Sequence, residues 1–223
     1  MRGWRSLLWA ATVALLVGGC AQVVPVSAPS EGGTPGPCAA GHVLLTFDDG
    51  PTRDVTPAVL DTLAAKGAKA TFFVTGEQVR DNPDLVRRAI AEGHRVGNHS
   101  WDHPDLATLS PEDAESQLQR TNAEIQQATG QAPSEWRPPY GSTNPVVDAV
   151  AQRLGLTAMI PWDIAPGDAA TQDPVPPETI RDRVLQEVRP DAIVLLHDAW
   201  TPNTPAALAL ILDGLTEQGY CTR

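Results

Sequence analysis

An α/β fold with a mainly parallel sheet is predicted by two regularities of the 223-residue chain. Short apolar or β-branched runs recur at 43–47, 70–75, 95–97, 156–160 and 192–196, and near-continuous hydrophobic strands suit a sheet buried on both faces. Amphipathic stretches with legible ends alternate with them. After the first run, a helix opens at Thr56-Pro57, a capping residue before a proline at the first helical position, and stops at Gly67. The second run leads to a helix from Asn82-Pro83 to Gly93. After the third come helices from Ser110-Pro111 to Gly130 and from Asn144-Pro145 to Gly155. The fourth run precedes a helix over 178–188 halted by Pro190, and the fifth precedes one from Thr204-Pro205 to Gly219.

In a closed or nearly closed (β/α) barrel, the loops leaving the strands gather on one face. Asp48 and Asp49 follow the first run, His99 the third, Asp163 the fourth and His197 the fifth, so one face is expected to collect them. An open doubly wound sheet would do the same. The pattern therefore argues for a site more strongly than for closure.

Residues 1–19 place Arg2 and Arg5 before an apolar run over 7–17. That is shorter than the ~20 residues that span a bilayer, and it reads as an export signal. Gly18 and Gly19 before Cys20 resemble a bacterial lipobox, in which cleavage before the cysteine is followed by its lipidation. An ordinary cleaved signal with an incidental thiol is the alternative. Residues 20–37, rich in Pro, Gly, Ser and Ala, read as a lipidated cysteine and flexible tether. Residues 38–223 suffice for one well-buried domain. Cys38 and Cys221 stand near its two ends, and in an exported protein they are expected to form a disulfide, worth about 4 to 5 kcal/mol in the loop-entropy account. The expected product is an extracytoplasmic monomer, anchored to the membrane through its N-terminal lipid or secreted. Sixteen Lys and Arg against 27 Asp and Glu give a formal charge of −11, and loss of the leader removes two cations and no acid. Nucleic acid is excluded as a partner for so acidic a chain.

The chemistry lies in five segments. Thr46-Phe47-Asp48-Asp49-Gly50 ends the first strand with two carboxylates. His99-Ser100-Trp101-Asp102-His103 adds two imidazoles that share a face if the segment is helical. Together they offer three oxygen and nitrogen ligands and a spare carboxylate. A divalent ion such as zinc accepts both donor types, and three protein ligands leave a position open for water, which becomes an available nucleophile near neutral pH. Adjacent side chains at a strand end point to opposite sides, so one aspartate remains free as a base. In Arg137-Pro138-Pro139-Tyr140-Gly141 the prolines lack N–H, making the Tyr140 amide the first free donor, one able to serve an oxyanion. Trp162 through Asp168 supplies an aromatic wall and the carboxylates Asp163 and Asp168. Leu195-Leu196-His197-Asp198 ends the last core strand in a histidine suited to proton transfer.

In this order the five segments, which cover nearly all of 43–220, resemble the polysaccharide deacetylase family, the NodB-homology domain of carbohydrate esterase family 4. The resemblance implies a distorted, incomplete TIM-like (β/α) barrel. It implies Asp49, His99 and His103 as ligands of a divalent metal, Zn2+ with Co2+ as an alternative. Asp48 is then the general base, Arg137 its holder, His197 the acid that protonates the leaving amine and Asp168 the partner of His197. The Tyr140 amide joins in stabilising the oxyanion, and Trp162 and Leu195 line the acetyl pocket. The implied activity is metal-dependent hydrolysis of N-acetyl groups on an envelope glycan, with peptidoglycan N-acetylglucosamine foremost. Chitooligosaccharide, N-acetylmuramic acid and O-acetylated xylan stay open, because the same groups cleave amide or ester.

The chain departs from the family pattern where Ala165 and Ala169 replace an acid and a tryptophan of the fourth segment. Trp101 and Trp200 are candidates to restore stacking surface, Trp101 equally for the core. The chain also stops at Arg223, where relatives continue through a last strand. Two rivals remain: a non-catalytic glycan-binding lipoprotein, expected to lack the base or acid that Asp48 and His197 provide, and a glycoside hydrolase, which needs two carboxylates and no metal.

Overall fold

β1, Gly41–Asp48, is the axis of the sheet. In the computed structural model, which describes residues 38–169 and 174–223, it is buried from Val43 to Asp48. It pairs with β2 (Ala70–Val74) along Leu45–Asp48, with β6 (Ile193–His197) along Leu44–Asp48 and with β7 (Tyr220–Thr222) along Gly41–Val43. β3 (Arg95–Asn98), β4 (Glu135–Trp136) and β5 (Ala158–Met159) continue beyond β2, giving the order β5-β4-β3-β2-β1-β6 with β7 on β1. Each of these pairings is parallel. The sheet curls until Ile164, beyond β5, bridges Val194 of β6, where Leu195 N–H donates to Ile164 O at 2.8 Å. A single bridge in place of a strand leaves a distorted, incomplete (β/α) barrel.

Seven helices surround it among the described residues: α1 (Thr56–Ala65), α2 (Gly76–Asp81), α3 (Pro83–Ala91), α4 (Pro111–Thr129), α5 (Pro145–Arg153), α6 (Pro177–Glu187) and α7 (Thr204–Glu217). Their apolar faces meet the sheet in two clusters. The larger includes Phe47 stacked on Phe72 with ring centres 5.1 Å apart, together with Leu60, Leu196, Leu208 and Ile211. The smaller gathers Leu106, Leu118, Trp136, Val147 and Leu156. Burying each such side chain contributes about 1.5 to 3 kcal/mol, so the strand ends are held by the packing beneath them.

Differences from the sequence expectation are local. α2, β4 and β7 were not foreseen, being six, two and three residues long. The run at 156–160 is extended only at Ala158–Met159, since Leu156 turns into the smaller core. The last strand expected to be missing is supplied by β7, beside the disulfide that joins Cys38 to Cys221 with Cα atoms 4.9 Å apart. Ser110 and Asn144 cap α4 and α5 through their side chains. Thr56, Asn82 and Thr204 do not cap; Asn82 donates instead to Pro51 O. The signal, lipidation and tether expected over 1–37 lie outside the described residues. Among the described residues, no helix is long and apolar enough to cross a membrane.

Candidate active site

β1, β3 and β6 end together, and their ends carry the chemistry. The β1–β6 register sets Asp48 opposite His197, while β2 sets Phe73 and Val74 beside Asp48 and Asn98. At Asp49 the chain leaves the sheet with φ 77°, a left-handed conformation that strands favour little outside glycine. This bend lets two consecutive aspartates serve one site.

Segment 99–103 is a loop, not the helix that would have put its histidines on one face. Ser100 and His103 adopt φ of 66° and 64°. Asn98 Oδ1 accepts Ser100 N–H at 2.8 Å, and Ser100 Oγ accepts His103 N–H at 3.2 Å. Such side-chain bonds offer the backbone an alternative to helix. The turn nonetheless brings the rings to centres 5.0 Å apart.

Asp49 Oδ1 lies 3.4 Å from His99 Nε2 and 3.3 Å from His103 Nε2, and the ligand atoms of the three residues all fall within 4.8 Å of one another. Ligands about 2.0 to 2.1 Å from a tetrahedral ion stand roughly 3.3 to 3.4 Å apart, as Asp49 Oδ1 does from each imidazole nitrogen. Asp49 Oδ1 is buried without a hydrogen-bond partner, which a cation would supply. His99 Nδ1 faces Arg137 O at 2.7 Å, so the proton belongs on Nδ1 and Nε2 is left for a metal. The residues therefore fit a divalent ion. Burial works to raise Asp49, but the His99 imidazole beside it outweighs this and holds its carboxyl low. Burial works to depress His99, yet the Asp48 and Asp49 carboxylates leave it raised. Both shifts show a pocket that attracts positive charge.

Arg137 is 1% exposed and fully engaged. Its Nη1 donates to Asp48 Oδ1 at 2.7 Å and to Thr46 Oγ1 at 2.9 Å, its Nε to Ile160 O at 2.9 Å and its Nη2 to Pro161 O at 2.9 Å. A guanidinium placed so fixes which oxygen of Asp48 is free: Oδ2, which lies 3.6 Å from His99 Nε2. On the facing side Asp168 Oδ1 meets His197 Nδ1 at 3.0 Å. Burial pushes His197 down, but the bond and charge of Asp168, with Asp48 and Asp49 behind, raise it to about 9.

Tyr140 has φ 60°, and its exposed ring meets His103 edge-on at 4.7 Å. Trp162, with Tyr140, Met159 and Pro161, lines a cavity of about 270 Å3 beside Arg137. Leu195 is buried on β6 opposite Thr46. Cavities of about 450 and 630 Å3 lie elsewhere, beside His94 and Cys221, and contain none of the residues gathered here.

One expectation fails and one alternative is decided. Asp163 does not join the cluster: its carboxylate binds Arg189 at 2.6 Å and Ile193 N–H at 2.9 Å, at the start of β6 rather than its end. Of the two roles open to Trp101 the core one holds, since it is 5% exposed with Arg120 Cζ 3.8 Å from its ring centre; Trp200 is exposed. Three participants carried no sequence signal of their role. Thr46 shares Arg137 Nη1, Thr204 donates to Asp168 Oδ2 at 2.8 Å, and buried Asp198 binds the loop after β1. Burial pushes Asp198 up to about 7, partly offset by a hydrogen bond from Thr56.

Fold and cluster together define a parallel (β/α) barrel with a carboxylate and imidazole cluster at its strand ends that could hold a metal ion. The chain belongs to the polysaccharide deacetylase family, whose model matches residues 36–159. It is 42% identical over 179 residues to the peptidoglycan-N-acetylglucosamine deacetylase PgdA of Listeria monocytogenes, across 80% of this chain but 37% of that one. It is 38% identical over 197 residues to a chitooligosaccharide deacetylase of Sinorhizobium fredii, across 82% of this chain and 90% of that one. Its fold matches the family 4 carbohydrate esterase from Streptomyces lividans, solved in complex with acetate, with a TM-score of 0.75 at 36% identity, covering 82% of this chain and 91% of that one. The chain thus spans little more than a third of the length of PgdA and nearly all of the other two.

Proposed function

We propose that the protein is a metal-dependent deacetylase that hydrolyses N-acetyl groups on an envelope glycan, peptidoglycan N-acetylglucosamine foremost. The observation that carries this reading is the partnerless Asp49 Oδ1 between two imidazole nitrogens, with an arginine-held carboxylate and an aspartate-held imidazole on either side.

Asp49, His99 and His103 hold the ion, Zn2+ in the first instance. When bound, it supplies Lewis acidity toward the acetyl carbonyl and a water acidic enough to ionise near neutral pH. Asp48 takes the proton of the attacking water on Oδ2, because Oδ1 is committed to Arg137. The Tyr140 N–H donates to the oxygen on which charge develops. His197 keeps Nδ1 on Asp168 and gives its Nε2 proton to the leaving nitrogen. Trp162 and Leu195 bound the acetyl pocket. The products are acetate and an amine.

Lipidation at Cys20, after removal of 1–19, would hold the domain near the wall as a monomer, with 20–37 as the tether. Both Asp48 and His197 are in place, which disfavours a non-catalytic binder. Acetate release from peptidoglycan, chitooligomers and acetylxylan, with zinc or cobalt and after chelation, tests the reading. Release from peptidoglycan that chelation abolishes and zinc restores is expected. Activity indifferent to chelation, or no release from any substrate, would sink it.

A further inference from the structure

Asp198 has no part in the steps above, yet it is 1% exposed and bonded on every side. Its Oδ1 accepts Gly50 N–H at 3.1 Å, and its Oδ2 accepts the Thr56 hydroxyl at 2.7 Å. Its own N–H donates to Asp48 O at 3.2 Å, and its carbonyl accepts the Thr52 hydroxyl at 3.0 Å. Two of these bonds fall on the peptide groups either side of Asp49. Asp49 itself sits at φ 77°, a conformation that persists in a non-glycine residue only where its surroundings enforce it.

The other constraints there come from β2 and the residue that follows it. Asp49 N–H donates to Phe73 O at 3.2 Å, and the Thr75 hydroxyl donates to Asp49 O at 3.3 Å. Phe73 and Thr75 grip the Asp49 residue; Asp198 grips the peptides that enter and leave it. Gly50 makes the grip feasible, since a Cβ there would lie 2.2 Å from Asp198 Oδ2.

We propose that Asp198 is a positioning residue for the metal ligand Asp49: by bonding Asp48 O and Gly50 N–H it sets the bend that turns the Asp49 carboxylate toward His99 and His103. As the neighbour of His197 on β6, it also ties that bend to the strand end carrying the acid. The proposal rests on the metal-site reading above.

Zinc affinity, measured on the full chain by competition with a chromophoric chelator, separates positioning from mere support. Asp198→Asn keeps an acceptor for Gly50 N–H and can donate to Thr56 Oγ1, whose proton turns to the residue 198 carbonyl at 3.2 Å. Asp198→Ala removes the carboxylate's bonds to Gly50 N–H and Thr56 Oγ1 and leaves the backbone bond to Asp48 O. The alanine variant should bind zinc about 10- to 100-fold more weakly and the asparagine variant within about threefold of wild type, as for groups that orient a ligand without touching the ion. The visible spectrum of the cobalt-loaded alanine variant should change with the geometry of its ligands. A lowered melting temperature with unchanged zinc affinity and cobalt spectrum would mean support only, and would overturn the proposal. Should Asp198→Ala not fold, Thr56→Val, which unclamps Oδ2, decides: weaker zinc binding upholds the proposal and wild-type affinity refutes it. A wild-type chain that binds no zinc defeats the metal-site reading itself, and the proposal with it.

Discussion

Asp168 holds His197 twice: Oδ2 accepts its backbone N–H at 2.8 Å and Oδ1 faces its Nδ1 at 3.0 Å. Thr204 completes the carboxylate's shell from the first turn of α7. The ring is thereby fixed in direction, and Asp168 keeps it charged.

Asp168→Asn retains the shape and removes the charge. His197 should fall from about 9 toward its ordinary 6.5, moving the alkaline limb of the pH–kcat profile down by about 1 to 2 pH units. At pH 8 kcat should drop about 10- to 100-fold. A limb that stays in place would take Asp168 out of this role.

The same shift makes stability depend on pH. A histidine raised from 6.5 when unfolded to about 9 when folded stabilises the native state fully below pH 6.5, and that contribution disappears as pH climbs through 9. In chelator-treated protein, the gap in urea midpoint between wild type and His197→Gln should be widest near pH 6 and should close by pH 10. A gap that widens with pH would contradict the assignment.

Asp48→Asn should leave the metal bound, since Asp48 is not among the three ligands, while cutting acetate release about 10²- to 10⁴-fold. Zinc stoichiometry and turnover, measured on one preparation, check both halves. Retained turnover would move the base elsewhere.

Arg137→Ala should cost about 3 to 5 kcal/mol, because it leaves the Asp48 carboxylate buried and unpaired. Arg137→Lys should recover little of this. An ammonium cannot reproduce the planar fork that reaches Asp48, Ile160 and Pro161 together. Urea denaturation gives both values, and a loss under 1 kcal/mol for either would show that the pair matters little to folding.

Much of this was legible in the chain. The alternation of buried runs and proline-started helices foretold the parallel sheet, and the five segments named the residues that meet at its strand ends. Short elements were not legible: β4 depends on Trp136 lying between β3 and β5, which no local pattern encodes. The threonines misled for a physical reason. Thr56 and Thr204 precede prolines as caps would, but their hydroxyls bind Asp198 and Asp168 instead, and such long-range pairing leaves no mark in adjacent residues. Asp163 misled in the opposite sense, because following a strand does not fix which way a side chain turns.

β1 enters at Gly41, three residues after the disulfide at Cys38, and delivers its aspartates eight residues on. At about 3.3 Å per residue, this sets the junction with the preceding chain roughly 25 Å behind the reactive cluster. The disulfide and the reactive cluster therefore stand at opposite ends of one strand, so the closure that joins the two ends of the domain and the chemistry at its mouth do not compete for the same space.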